Sequence, residues 1–362
     1  MEFYSSAKLP SLQMQMQWIC GMPQLNTNSR IMYDFNNDNN VIRKKTDPLS
    51  GIQESSTAQQ ESTICNPETG NFALFYNGEN VFDGFFNKIN ETPFYTQDHT
   101  YLTSVIAPSP TNNQRYHIYY SERGTHSLNY SIVEYTDGFD LPAQWVGHVQ
   151  LASLSSTTPL GLACQREGRY WLLAYDNAHT MSAYLFSDED DNGAVRHIAL
   201  QPFSAIADDV NCMQSSIVTH GNKIALTVNN QIMVGTLDFT TGLTIKDQMM
   251  VDTETVTLMP AFNRDGSKLY YLKAYDSNNQ DHVFVYENGA SYSPSSYQFT
   301  EEYVTLKLGP DGNIYGTNAF VTVDPLLQII EVGDNVEIKE IISDPTNSSA
   351  TFGNNQYQIN NL

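Results

Sequence analysis

The sequence predicts an all-β chain folded as a single seven-bladed β-propeller, its ring closed by N- and C-terminal strands that share one blade. Three observations predict it. Six stretches repeat one grammar: an apolar strand, a tight polar turn with Gly or Asn near its end, and a second apolar strand rich in aromatics. They recur roughly every 40–55 residues, the period of a propeller blade array. A seventh repeat is split, with strand-like pieces near the N-terminus that lack the first half of a hairpin and one unpartnered piece, ATFGNNQYQI, near the C-terminus. Pairing those two parts leaves the ring without a free edge.

The elements follow in order. Residues 1–13 read as an N-terminal extension, and residues 14–58 as the split blade, completed by 348–362. Six hairpins then open six blades. STICNPETGNFALFY starts at Ser62 (blade 59–98), TSVIAPSPTNNQRYHIYY at Thr103 (99–152), and PLGLACQREGRYWLLAY at Pro159 (153–203). QSSIVTHGNKIALTV starts at Gln214 (204–252), LMPAFNRDGSKLYYL at Leu258 (253–300), and TLKLGPDGNIYG at Thr305 (301–347). Their turns are expected to close at Gly70, Asn113, Gly168, Gly221, Gly266 and Gly312. Third strands with period-two alternation follow: LNYSIVEY from Leu128, MSAYLF from Met181, QIMVGTLDF from Gln231, HVFVYE from His282 and the more apolar LLQIIEV from Leu326. Fourth strands are expected at VGHVQLA after Trp145, VRHIALQ after Ala194, LTIKDQMMV after Gly242, SYQFTE after Ser295 and VEIKEII after Asn335. No segment carries a long helical pattern.

Aromatic neighbours recur in the second strands: Tyr119-Tyr120, Tyr170-Trp171 and Tyr270-Tyr271. Successive strand residues point to opposite faces. One ring of each pair is therefore expected to pack between blades and the other to face the opposite sheet. A sugar-stacking role is the alternative for these rings.

The chain of 362 residues carries 18 basic against 40 acidic residues, a formal charge of -22. Nucleic acids need cationic surface to displace their counterions, so this balance argues against a nucleic-acid partner and against anionic membrane surfaces. The one basic run, Arg43-Lys44-Lys45, reads as a solvated loop. No apolar run approaches the length of a membrane span. The first residues show no cationic start, apolar centre or small-residue cleavage site. An intracellular or virion location is expected from that reading, with the cell surface as the alternative.

The four cysteines, Cys20, Cys65, Cys164 and Cys212, lack metal-ligand spacing and are expected to be buried core thiols. Cys65 and Cys164 close the first strands of different blades, which keeps them from bonding to each other. Asp188, Asp190 and Asn192, followed by Gly193, fit the first half of a calcium loop, where alternate oxygens surround a tight glycine turn. Its second half is missing, and a solvated acidic hairpin tip is the alternative. Asp34, Asn36 and Asp38 alternate more weakly. No nucleophile elbow, zinc-protease helix or phosphate loop appears, and the eight histidines are scattered. No catalytic or cofactor-binding residue is assigned, and calcium is the one candidate ion.

The ordered pieces WICG (Trp18–Gly21), Glu61–Asp83, Thr103–Tyr135, FNRDGSKLYYL and LKLGPDGNIYG together resemble the propeller domain of secreted and surface proteins of Bacteroidota that carry type IX secretion (type B) sorting signals. The resemblance spans about Trp18 to Gly353. It implies a propeller used as a module within larger surface proteins, and it brings no catalytic residues. A signal peptide, a sorting domain and adjoining immunoglobulin-like modules are departures from that pattern, since none is seen here. The expected function is a non-enzymatic protein-interaction or structural module of a larger assembly, in a phage virion or a cell-surface complex. A carbohydrate-binding propeller is the alternative, and a channel-mouth hydrolase or lyase a third reading.

Overall fold

The computed structural model describes residues 62–89, 104–154, 159–188, 215–245, 259–274, 281–294, 303–318 and 326–341, apart from short gaps, and the backbone of 17–21, 31–34, 43–46, 196–202, 251–252 and 351–352. These residues form seven antiparallel sheets. Sheet 1 holds β1 (Gln17–Gly21), β2 (Ile31–Asp34) and β3 (Arg43–Thr46). Sheet 2 holds β4 (Ser62–Cys65), β5 (Phe72–Tyr76) and β6 (Val81–Phe82). Sheet 3 runs through β7 (Ser104–Ser109), β8 (Asn112–Ser121), β9 (Ser127–Glu134) and β10 (Gln144–Ser153). Sheet 4 runs through β11 (Leu160–Arg166), β12 (Arg169–Asp176), β13 (Thr180–Ser187) and β14 (Arg196–Pro202).

Sheet 5 comprises β15 (Ser215–His220), β16 (Lys223–Val228), β17 (Gln231–Leu237), β18 (Thr244–Ile245) and β19 (Val251–Asp252), the last two both paired to β17. Sheet 6 comprises β20 (Ala261–Phe262), β21 (Lys268–Ala274), β22 (Asp281–Glu287) and β23 (Ala290–Tyr292). Sheet 7 comprises β24 (Tyr303–Leu308), β25 (Ile314–Asn318), β26 (Leu326–Val332) and β27 (Asn335–Ile341). The C-terminal strand β28 (Thr351–Phe352) returns to sheet 1, where Phe352 pairs with Cys20 and Thr351 with Gly21. The pairing of the chain's two ends, expected from the split repeat, is therefore present.

First strands of successive sheets lie side by side: β4 by β7, β7 by β11, β11 by β15, β15 by β20, and β20 by β24. β28 lies against β24, and β1 against β4. The fold is all-β and propeller-like, with its apolar layers between the sheets. Tyr119 contacts Tyr170 of sheet 4 while Tyr120 faces Tyr76 of sheet 2. Tyr170 joins the core shared with sheet 3, and Trp171 the core shared with sheet 5. Tyr270 packs toward sheet 7 and Tyr271 toward sheet 5. Each aromatic pair thus welds its sheet to both neighbours, and the rings are buried rather than offered to a sugar.

Close approach between sheets is visible at two glycines. A Cβ on Gly161 would stand 2.4 Å from Ile217 Cγ2. Gly242, at φ +73°, abuts Trp171, whose Cζ3 would lie 2.4 Å from an added Cβ. Polar ties join sheets 2 and 3. The Tyr135 hydroxyl donates to the Ala73 carbonyl at 2.6 Å, and the Ser62 and Ser104 hydroxyls meet at 2.5 Å.

Three elements differ from expectation. The hairpin of sheet 3 turns at Pro110-Thr111, with Ser109 paired to Asn112, so Asn113 sits within β8 and not at the turn. Proline's fixed φ suits the first turn position and moves the turn forward. The basic run Arg43-Lys44-Lys45, expected as a solvated loop, lies in the strand β3 paired with β2. In sheet 6 the fourth strand is β23, because Asn288 and Gly289 both adopt positive φ, 51° and 84°, and reverse the chain in two residues. The SYQFTE segment lies outside the described residues, as do Cys212 and the side chain of Cys20. Cys65 and Cys164 are free and buried, and burial pushes the Cys164 thiol well above its ordinary range.

Candidate functional site

In a four-stranded antiparallel sheet the first turn and the end of the third strand lie at the same end. There the sheets share a feature. An acidic residue closes or adjoins every third strand: Asp34 in β2, Asp83 after β6, Glu134 in β9, Asp188 after β13, Asp238 after β17, Glu287 in β22 and Glu331 in β26. Asp34 is placed by its backbone alone.

Local hydrogen bonds hold the described carboxylates. Asp83 accepts the backbone amides of Phe85 and Asn87, each at 2.9 Å. Glu134 accepts Arg115 Nη2 at 2.8 Å and Asn112 Nδ2 at 3.2 Å. Asp188 receives Arg166 through two guanidinium nitrogens, at 2.9 and 2.7 Å. That contact holds its carboxyl below the usual range. Asp238 accepts the Thr240 amide at 2.8 Å, which lowers its pKa, and the Thr241 hydroxyl at 2.9 Å. Glu287 takes the Tyr292 hydroxyl at 3.0 Å.

Glu331 has the densest surroundings, and they bridge sheets 6 and 7. It accepts the Tyr270 hydroxyl at 2.5 Å and Asn263 Nδ2 at 3.2 Å, with Lys268 Nζ 3.7 Å away. Burial first, and the Glu331 carboxylate second, push the Tyr270 phenol far above its ordinary value. The proton therefore stays on Tyr270.

Apolar side chains are exposed beside these acids. Among the described residues seven large apolar side chains are exposed. Five of them, Phe85, Leu141, Leu243, Tyr292 and Val332, lie at or just beyond the third-strand ends, close in sequence to Asp83, Glu134, Asp238, Glu287 and Glu331. The arrangement offers charged acceptors and apolar contacts on short, hydrogen-bonded turns.

A second polar constellation is buried between sheets 3 and 4. His117 Nδ1 lies 3.1 Å from the Tyr119 hydroxyl, which meets the Tyr170 hydroxyl at 2.7 Å. Burial, aided by Arg115, lowers the His117 pKa to about 3. This imidazole is neutral and enclosed by Tyr119, Tyr130 and Phe186, a packing role and not a site open to substrate.

Of the residues expected to hold calcium, Asp188 is engaged by Arg166, while Asp190 and Asn192 lie outside the described residues. No group of three potential metal-ligating His, Cys, Asp or Glu side chains occurs among the described residues. The recurring acid was present in the sequence as VFD, IVE, FSD, TLD, VYE and IIE. It was missed because a search for identical pocket residues passes over Asp and Glu in alternation and over an offset of one position.

No protein-family model matches the chain. No curated protein matches it either. Solved structures do. A protein of Bacteroides uniformis provisionally named a 6-phosphogluconolactonase superposes with TM-score 0.57 at 15% identity, covering 93% of this chain and 99% of its own. One of Bacteroides fragilis with the same provisional name gives 0.54 at 12%, covering 97% and 99%. The BP39L lectin of Burkholderia pseudomallei gives 0.51 at 10%, covering 92% and 99%. Identities this low show a shared fold alone. They nevertheless overturn the expectation that the chain is not an enzyme, because two chains of this fold carry an enzyme's name. The physical reason is that strand ends far apart in sequence can assemble a site without any linear motif.

Proposed function

We propose that the seven sheets are the blades of one ring, closed where β28 joins β1, and that the ring serves as a binding platform for a protein partner in a larger assembly. One observation carries this reading: the third-strand ends present an acid in each sheet, with an exposed apolar side chain beside five of them. A partner suited to that face carries apolar anchors flanked by Lys or Arg. The charge of -22 steers such a partner in and repels phosphate backbones. A phage virion or a cell-surface complex is the assembly suggested by the resemblance to Bacteroidota surface propellers.

A second reading, a carbohydrate-binding propeller, is favoured by the fold shared with the Burkholderia lectin. The two readings separate by experiment. The chain is isolated from its native source at low and high salt, and in parallel presented to a glycan array and to 6-phosphogluconolactone. Co-migration with a defined assembly at low salt, lost at high salt, supports the platform. The substitutions Leu243→Ser and Val332→Ser are each expected to weaken partner binding about tenfold, as interface anchors do. Glycan capture without a protein partner, or lactone turnover, replaces the platform reading with the lectin or the enzyme.

A further inference from the structure

Asparagine is among the chemically labile side chains of proteins. A glycine after it leaves the next backbone nitrogen unshielded by any side chain. The sequence holds three such pairs, Asn77-Gly78, Asn192-Gly193 and Asn288-Gly289. The first two lie outside the described residues, and the third forms the turn between β22 and β23.

The surroundings of Asn288 favour reaction. Asn288 and Gly289 are both exposed, and a Cβ added to Gly289 would meet nothing within 4 Å. Glu287 pairs with Ala290, so the ladder closes one residue beyond Gly289 and leaves its nitrogen outside. The Asn288 carboxamide has no hydrogen-bond partner among the described residues. The closed turn opposes reaction. Joining the side chain to the next nitrogen requires rotation about the Asn288 Cα–C bond, and the pairing of β22 with β23 holds both turn residues at positive φ, 51° and 84°. That pairing is slight, because β23 has three residues, all exposed. Two side chains clasp it: the Tyr292 hydroxyl donates to Glu287 Oε2 at 3.0 Å, and the Ser293 hydroxyl to the Val283 carbonyl at 3.0 Å. Short exposed hairpins open locally at little cost.

We propose that Asn288 is a site of spontaneous deamidation, governed by opening of the β22–β23 hairpin. In the open hairpin the Gly289 nitrogen attacks Asn288 Cγ. The Cγ–Nδ2 bond breaks, and ammonia leaves with the proton of the Gly289 amide. Water then adds to one of the two carbonyls of the resulting ring, breaks its bond to the Gly289 nitrogen and returns a proton to that nitrogen. Addition at Cγ gives aspartate. Addition at the main-chain carbonyl gives isoaspartate, whose backbone runs through Cβ. Either product sets a new carboxylate beside Glu287, and neighbouring like charges repel. Isoaspartate also adds a backbone atom to a two-residue turn. Both changes loosen β23, so the hairpin tip becomes a one-way record of the age of the chain.

The test is peptide mapping by mass spectrometry on the full chain, incubated at mildly alkaline pH both native and in denaturant. The peptide holding residue 288 is expected to gain the mass difference between an amide and an acid, as two isomers that separate chromatographically. Conversion is expected to be faster in denaturant, where no hairpin opposes ring closure. Tyr292→Phe, which removes one clasp, is expected to speed native conversion about threefold, the effect of one lost exposed hydrogen bond, and to leave the rate in denaturant unchanged. Ser293→Ala removes the other clasp and decides the matter if Tyr292→Phe fails to fold. An intact Asn288 in the native chain after the denatured chain has converted, equal native and denatured rates, or a native rate that neither variant moves would overturn the proposal.

Discussion

At the residue scale, single side chains tie one sheet to the next, and their removal should be felt individually. Tyr135 donates to the Ala73 carbonyl and accepts the Gly84 amide at 3.3 Å, across two sheets. Tyr135→Phe leaves both groups without that oxygen and is expected to cost about 1–3 kcal/mol in a denaturant titration. His117 supplies a pH signature. Its folded pKa of about 3 lies below the ordinary 6.5, so the folded state refuses a proton that the unfolded state accepts. The associated stability is fully present above pH 6.5 and is lost as pH falls from 6.5 toward 3. Within that window the folding constant should fall about tenfold per pH unit from this group. His117→Gln is expected to flatten that slope in parallel melts, and an unchanged slope would assign it to other groups. Calcium at Asp188 must compete with Arg166. Millimolar calcium is therefore expected to raise the melting temperature of Arg166→Ala, through binding to the native state, and to leave the double variant Arg166→Ala/Asp190→Ala unmoved.

At the element scale, what the sequence reveals depends on how much each strand is buried. Inner and second strands were legible because burial on both faces demands apolar runs, and because turns such as Arg264-Asp265-Gly266 require a glycine at positive φ, here +68°. The third strands were legible from alternation, β9 and β13 falling within a residue of expectation. Outer strands were less so, since solvent relaxes their patterning. The fourth strand of sheet 6 was sought at SYQFTE although Asn288-Gly289 already encoded a two-residue hairpin turn. The acids at the third-strand ends were visible as letters, but their shared position emerges only when strand ends are aligned in space. Packing between elements can be tested at Gly242, where positive φ and the Trp171 ring both oppose a side chain. Gly242→Ala is expected to destabilise by about 1–3 kcal/mol, through strain at φ > 0 and overpacking. A neutral substitution would mean that the turn and the indole move apart freely.

At the scale of the whole molecule, the question is what holds the first and last sheets together. β28 supplies few residues, yet it touches three partners: it pairs with β1 and lies against β24 and β25. Sheet 1 in turn lies against sheet 2 through β1 and β4. In the proposed ring every interface contributes at once, because opening any one seam exposes two sheet faces built for burial. Deleting residues 348–362 removes the strand beside β24 and frees one edge of β1. The loss is expected to exceed about 4 kcal/mol, the range reserved for broken networks and emptied cores. It should appear as a lower denaturation midpoint and as faster proteolysis near residues 14–58. A synthetic peptide covering 348–362, added in trans, is expected to restore part of the midpoint by binding the vacated edge. If the truncated chain melts like the intact one, the pairing of Phe352 with Cys20 does not close the ring, and sheet 1 must be held by sheet 2 alone.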